Sequence, residues 1–113
     1  MRISENWHVL ESIEVLDKVE KESYNLPVVL FKHSVRCGIS AYAEERLKNL
    51  HVDDSFQFYY LDLINYREVS NEIAKRFGVI HQSPQILVIK DGKATFTTSH
   101  HMISPEIITK NLN

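Results

Sequence analysis

Val28-Val29-Leu30-Phe31-Lys32-His33-Ser34-Val35-Arg36-Cys37-Gly38-Ile39-Ser40 decides the fold. Its first four residues are apolar, with Pro27 before them and polar residues after, which predicts a buried strand over Val28–Lys32. The residues from Ala41 to Leu50 are rich in good helix formers. Cys37, the one cysteine of the chain, therefore falls where a buried strand gives way to a helix. The first N–H groups of a helix have no partner within it and carry partial positive charge. A sulfur placed there is stabilised as thiolate, the nucleophilic form, and Arg36 adds a cation beside it. A lone cysteine is commonly a small core residue without chemistry. Such a filler sits inside an apolar run, whereas Cys37 stands between Arg36 and Gly38, so the reading taken is a reactive thiol.

Upstream, Trp7-His8-Val9-Leu10 reads as a short edge strand or an anchoring turn. Ser12 is positioned to cap a helix running to about Ser23, with Ile13, Val15, Leu16 and Val19 inward. Downstream, Phe56 to Leu61 is aromatic and β-prone, a second strand about twenty residues beyond the first with a helix between them. That is a βαβ unit, whose strands run parallel through a right-handed crossover. Asn65 and Glu68 have capping-box spacing for a helix ending at Phe77, where Gly78 stops it. Gln85 to Lys90 is a third buried strand, and Asp91-Gly92 turns it into an antiparallel partner over Lys93–Thr98. Ser104-Pro105 opens a last helix. The expected fold is α/β: one domain over residues 1–113, with a central mixed sheet of about four strands, helices on both faces and an N-terminal helical extension.

The totals exclude several classes. A net charge of −2 favours neither nucleic acid nor a membrane surface, and no run is long and apolar enough to span a bilayer. One cysteine allows no internal disulfide, which fits a reducing, cytoplasmic setting. No metal-ligand spacing stands out: His100 and His101 are adjacent and read as loop residues. His33 reads as a packing or sheet-edge residue rather than a base, and Glu44-Glu45 as a solvated helix face.

The order of elements, with cysteine at the first crossover helix and Ser83-Pro84 before the third strand, resembles the thioredoxin fold. Within that fold, Phe31-Lys32-His33-Ser34 followed by Cys37-x-Ile39-Ser40 is similar to the monothiol bacilliredoxins of the bacillithiol system. Asp62, Arg76-Phe77-Gly78-Val79, Ser83-Pro84-Gln85 and Ile89-Lys90-Asp91-Gly92 extend the similarity over nearly the whole chain. The family's Thr-Cys-Pro-Ile-Ser is here Arg36-Cys37-Gly38-Ile39-Ser40, so Arg36 replaces a hydroxyl and Gly38 a proline. The resemblance implies a cis Pro84 facing the cysteine, and a Ser83 backbone open to pair with an extended thiol conjugate. It implies Cys37 as the catalytic residue, with Arg36, Gly38 and Ser40 in the first turn beside it and His33, Ser34, Ser83 and Pro84 toward substrate. Ser40 stands where a dithiol protein has its second cysteine and cannot form a disulfide. Its hydroxyl either bonds to nearby backbone groups or donates to the thiolate.

A single sulfur needs its disulfide partner from outside. The leading expectation is removal of a low-molecular-weight thiol, by the resemblance bacillithiol, from S-bacillithiolated proteins. An external thiol or reductase would then regenerate Cys37. Bacillithiol would be a co-substrate, with no bound cofactor or metal and with a monomer or transient dimer as the working form. The alternatives are a non-catalytic thiol sensor and a module holding a cluster between subunits, as monothiol glutaredoxins do.

Overall fold

In the computed structural model, residues 6–34 and 38–113 are described, 38–40 for their backbone only. The strands are β1 (His8–Val9), β2 (Val28–His33), β3 (Gln57–Asp62), β4 (Gln85–Lys90) and β5 (Lys93–Ser99). The helices are α1 (Ile13–Glu22), α2 (Gly38–Leu47), α3 (Arg67–Phe77) and α4 (Pro105–Lys110). They build one five-stranded sheet in the order β1-β3-β2-β4-β5. The fifth strand, beyond the four expected, is the two-residue β1, which pairs with the outer edge of β3 through His8–Tyr59 and Val9–Tyr60. β2 and β3 run parallel, while β2–β4 and β4–β5 are antiparallel.

Strand β2 sits at the centre, and its alternation divides the core. Val29 and Phe31 face one side, with Trp7, Phe58, Tyr60, Ile86 and Val88, and are covered by Ala43 and Leu47 of α2 and Ile108 of α4. Val28 and Leu30 face the other, with Leu61, Leu87 and Ile89, under Leu16 and Val19 of α1 and Val69 and Ile73 of α3. A strand buried on both faces reads as a continuous apolar run, which is why Val28–Phe31 was so legible. β2 nevertheless extends to His33, and Lys32 and His33 are buried with it.

Helix starts follow local chemistry. The Ser12 hydroxyl accepts from Val15 N–H at 3.1 Å, and Ser104 does the same for Ile107 N–H at 3.1 Å, with Pro105 in the first helical turn. The capping box expected at Asn65 is not formed. Asp62 takes Asn65 instead: its carboxylate accepts from Ile64 N–H at 3.1 Å and from the Asn65 side chain at 2.6 Å. α3 therefore starts at Arg67, with Tyr66 before it and no side-chain cap. At its other end Arg76 ties α3 to α1, donating to Asp17 at 2.8 Å and Glu20 at 3.3 Å. Beyond β5, His100–Met102 close a short 3-10 turn where a loop was expected.

Candidate functional site

The carboxyl ends of β2 and β3 and the start of β4 meet at one end of the sheet, because β4 runs against β2 with Lys32 paired to Gln85. One step beyond that pair lie His33 on one strand and Pro84 before the other. The Ser83–Pro84 peptide bond is cis, as the resemblance implied. Pro84 is buried, its carbonyl accepting from His100 N–H at 3.2 Å. Ser83 forms no backbone–backbone hydrogen bond with another described residue. Its hydroxyl is buried without a partner among the described residues. Cys37 and Arg36 lie outside the described residues. Gly38, the next residue, opens α2, and Ser40 is in that helix's first turn. Ser34 follows β2 half-buried.

Each face of the sheet contributes one polar group at this end. On the α2 face, His33 is 2 % exposed. It is interior to the sheet, not at an edge, because β2 is flanked by β3 and β4. Its Nδ1 shares a hydrogen bond with the Tyr60 hydroxyl at 3.2 Å, and its Nε2 stands 3.9 Å from Glu44 Oε2. Glu44 is thus not on a solvated face: α2 turns it inward over His33, leaving Glu45 outside to pair with Lys48 at 3.0 Å. Burial raises the Glu44 carboxyl above its usual range, with Lys48 opposing. Burial first, then the negative charges of Glu44 and Asp62, push the Tyr60 phenol upward, so it stays protonated as a donor. Tyr60, His33 and Glu44 form a polar string under α2 that sequence reasoning missed. No spacing in the sequence marks Glu44 as inward, since Lys48, one helical turn beyond it on the same face, is exposed.

On the α3 face lies Lys32, with no exposed surface and no hydrogen-bond partner for Nζ among the described residues. Burial first, then the nearby Arg67 charge, lower its pKa to about 8. His81, on the loop before Pro84, is also lowered, by burial and then by Lys32 and Arg67.

Comparison with known proteins gives a consistent picture. The family model for the monothiol bacilliredoxin BrxC matches residues 8–108. A solved candidate oxidoreductase with a thioredoxin fold is similar at TM-score 0.82 and 30 % identity, covering 93 % of this chain and 92 % of that one. The thioredoxin of Malassezia sympodialis matches at TM-score 0.69 and 17 % identity, over 99 % of this chain and 92 % of that one. Mitochondrial thioredoxin 3 of Saccharomyces cerevisiae, in its oxidized form, matches at 0.72 and 15 %, over 93 % and 92 %. These last two share the fold.

Proposed function

The chain belongs to the monothiol bacilliredoxin family, and from that premise we propose that it removes bacillithiol from protein mixed disulfides through Cys37. A monothiol redox protein on a thioredoxin fold follows from the family and the fold. One observation supports placing the chemistry at Cys37. A helix begins at Gly38, directly after the only cysteine, at the same end of the sheet as the cis Pro84. The uncompensated N–H groups of that first turn favour a thiolate, and Arg36 reinforces them. Cys37 attacks the bacillithiol sulfur of the mixed disulfide, and the substrate protein leaves as a thiolate. A second small thiol or an external reductase then attacks the bacillithiol sulfur held on Cys37, carrying it off as a new disulfide and freeing the Cys37 thiolate, since Ser40 offers no sulfur to resolve it. The backbone of Ser83 is the proposed docking edge for the conjugate. We place this chemistry in the cytoplasm, with a monomer or transient dimer as the working form. No described helix is long and apolar enough to cross a membrane.

The test uses a bacillithiolated substrate protein and follows release of the small thiol. Release is expected from the wild type and absent from Cys37→Ala. Adduct that accumulates on Cys37 without turnover identifies a sensor instead. The alkylation rate of Cys37 against pH is expected to inflect below the free-thiol value of about 8.5, and Arg36→Ala to raise it modestly. An inflection at or above that value removes the activation argument.

A further inference from the structure

The turn that follows β5 is strained where it meets the cis Pro84. β5 finishes at Ser99, paired with Gln85, and His100 comes next at φ +55°. A non-glycine residue in the left-handed region costs free energy and persists only where its surroundings hold it there. Three contacts do so. The His100 N–H donates to the Pro84 carbonyl at 3.2 Å. The His100 carbonyl accepts from Ile103 N–H at 3.3 Å, and Ile103 is wholly buried in the core on the α2 face. One residue on, the His101 carbonyl accepts from Arg46 Nη1 at 3.2 Å. Arg46 lies in the last turn of α2, its guanidinium 5.8 Å from the centre of the Tyr42 ring. It forms no ion pair with any described residue, although Glu106 lines the same cleft of ≈ 380 Å³. Its N–H goes to a backbone carbonyl instead. Arg46, His101, His100 and Pro84 thus join α2, whose first residue follows Cys37, to the cis proline.

We infer that Arg46 and His100 are positioning residues, which clamp the His100–Met102 turn between α2 and the cis Pro84 and so set how the Ser83 edge presents a conjugate to Cys37. The inference rests on the redox reading above and adds two residues that act through the backbone rather than on the reacting sulfurs. Exchange requires the attacking, central and leaving sulfurs to lie nearly in line, so orientation carries part of the rate. A docking edge that drifts relative to α2 slows transfer from a docked conjugate. It does not slow attack on a small reagent that needs no docking.

The test compares two second-order rate constants of Cys37: transfer of bacillithiol from a short cysteine peptide carrying it as a mixed disulfide, and alkylation by iodoacetamide. The ratio of transfer to alkylation is expected to fall about 3- to 10-fold in Arg46→Ala, the span one hydrogen bond commonly supplies, with the alkylation pH profile as in the wild type. Arg46→Lys keeps a donor and is expected to recover most of the loss. His100→Gly frees the turn and is expected to lower the ratio without lowering the unfolding temperature, while His100→Asn, which tolerates the left-handed region, keeps it. Arg76→Ala cuts the tie between α1 and α3 and is expected to lower the unfolding temperature and leave the ratio as it is. A ratio unchanged in Arg46→Ala or in His100→Gly, unrestored by Arg46→Lys, or lowered as much by Arg76→Ala overturns the clamp while leaving Cys37 chemistry standing. A ratio lowered equally in His100→Asn assigns the effect to the imidazole and overturns the clamp too. Wild-type Cys37 that takes bacillithiol from the peptide no faster than a free thiol does overturns the redox reading, and the clamp with it.

Discussion

Lys32 shows how far a single side chain can depart from what its type predicts. Its position after four apolar residues marked it as the polar end of a strand, yet β2 carries on through it and it has no exposed surface. Its pKa is lowered to about 8, so below that pH the folded protein holds a buried charge that the unfolded chain exposes to water. Between about pH 8 and the ordinary lysine value of 10.5 the unfolded state binds more protons, and stability rises with pH across that window. Lys32→Met is therefore expected to stabilise the protein at pH 7, by up to about 3 kcal/mol, with the gain shrinking as pH approaches that of free lysine. Urea unfolding at pH 7 and pH 10 checks it; a destabilised variant at pH 7 would mean the ammonium has found a partner. His33 and Glu44 were illegible for a related reason. Whether a polar residue beside an apolar run turns in or out depends on the helix packed above it, and sequence periodicity does not carry that information.

Elements were easiest to read where the signal is covalent or immediately local. Ser12, Ser104, Gly78 and the Asp91-Gly92 turn all act within three residues of themselves, and all appear as read. Asn65 failed because two local motifs competed, and the Asp62 turn captured its side chain before the helix could. Substitution separates the two cases. Ser12→Ala is expected to cost about 1 kcal/mol, while Asn65→Ala, losing only an exposed contact, stays within about 0.5 kcal/mol. Equal losses in thermal unfolding would restore the capping box. At the hairpin, Gly92 has φ +75°, and a Cβ there would stand 2.5 Å from the Tyr24 hydroxyl. Ser23 pins the same turn, its carbonyl accepting from Asp91 N–H at 2.8 Å and its hydroxyl from Gly92 N–H at 2.9 Å. Gly92→Ala should lose about 1–2 kcal/mol from positive φ and displacement of the ring. Tyr24 is largely exposed and free to swing aside, so adding Tyr24→Ala should recover the smaller part of that loss. Full recovery would mean that the backbone conformation costs nothing.

At the scale of the whole molecule, the sequence revealed the βαβ crossover and the hairpin but left the sheet's far edge open. A strand of two residues carries too little alternation to be told from an anchoring turn, the two readings open for residues 7–10, and what fixes β1 as the edge strand is a distant contact. Trp7, one residue before it, stacks on Phe58 with ring centroids 4.6 Å apart and on Tyr60 at 5.9 Å, and meets Phe31 edge-on at 6.0 Å. Tyr60 also holds His33, so the indole anchors the N-terminal strand and backs the polar string under α2. Truncation should therefore act on both. Trp7→Ala is expected to cost about 3–5 kcal/mol, a large share of the 5–15 kcal/mol that holds a typical domain together. Trp7→Phe keeps a stacking ring and should lose less than half as much. If Tyr60 depends on that backing, Trp7→Phe will also leave the alkylation pH profile of Cys37 close to wild type, while Trp7→Ala, measured where it is still folded, displaces it. Denaturant unfolding gives the first comparison and alkylation the second. A Trp7→Ala protein as stable as Trp7→Phe would show that β1 is held by its backbone pairing with β3 and that the aromatic stack is dispensable.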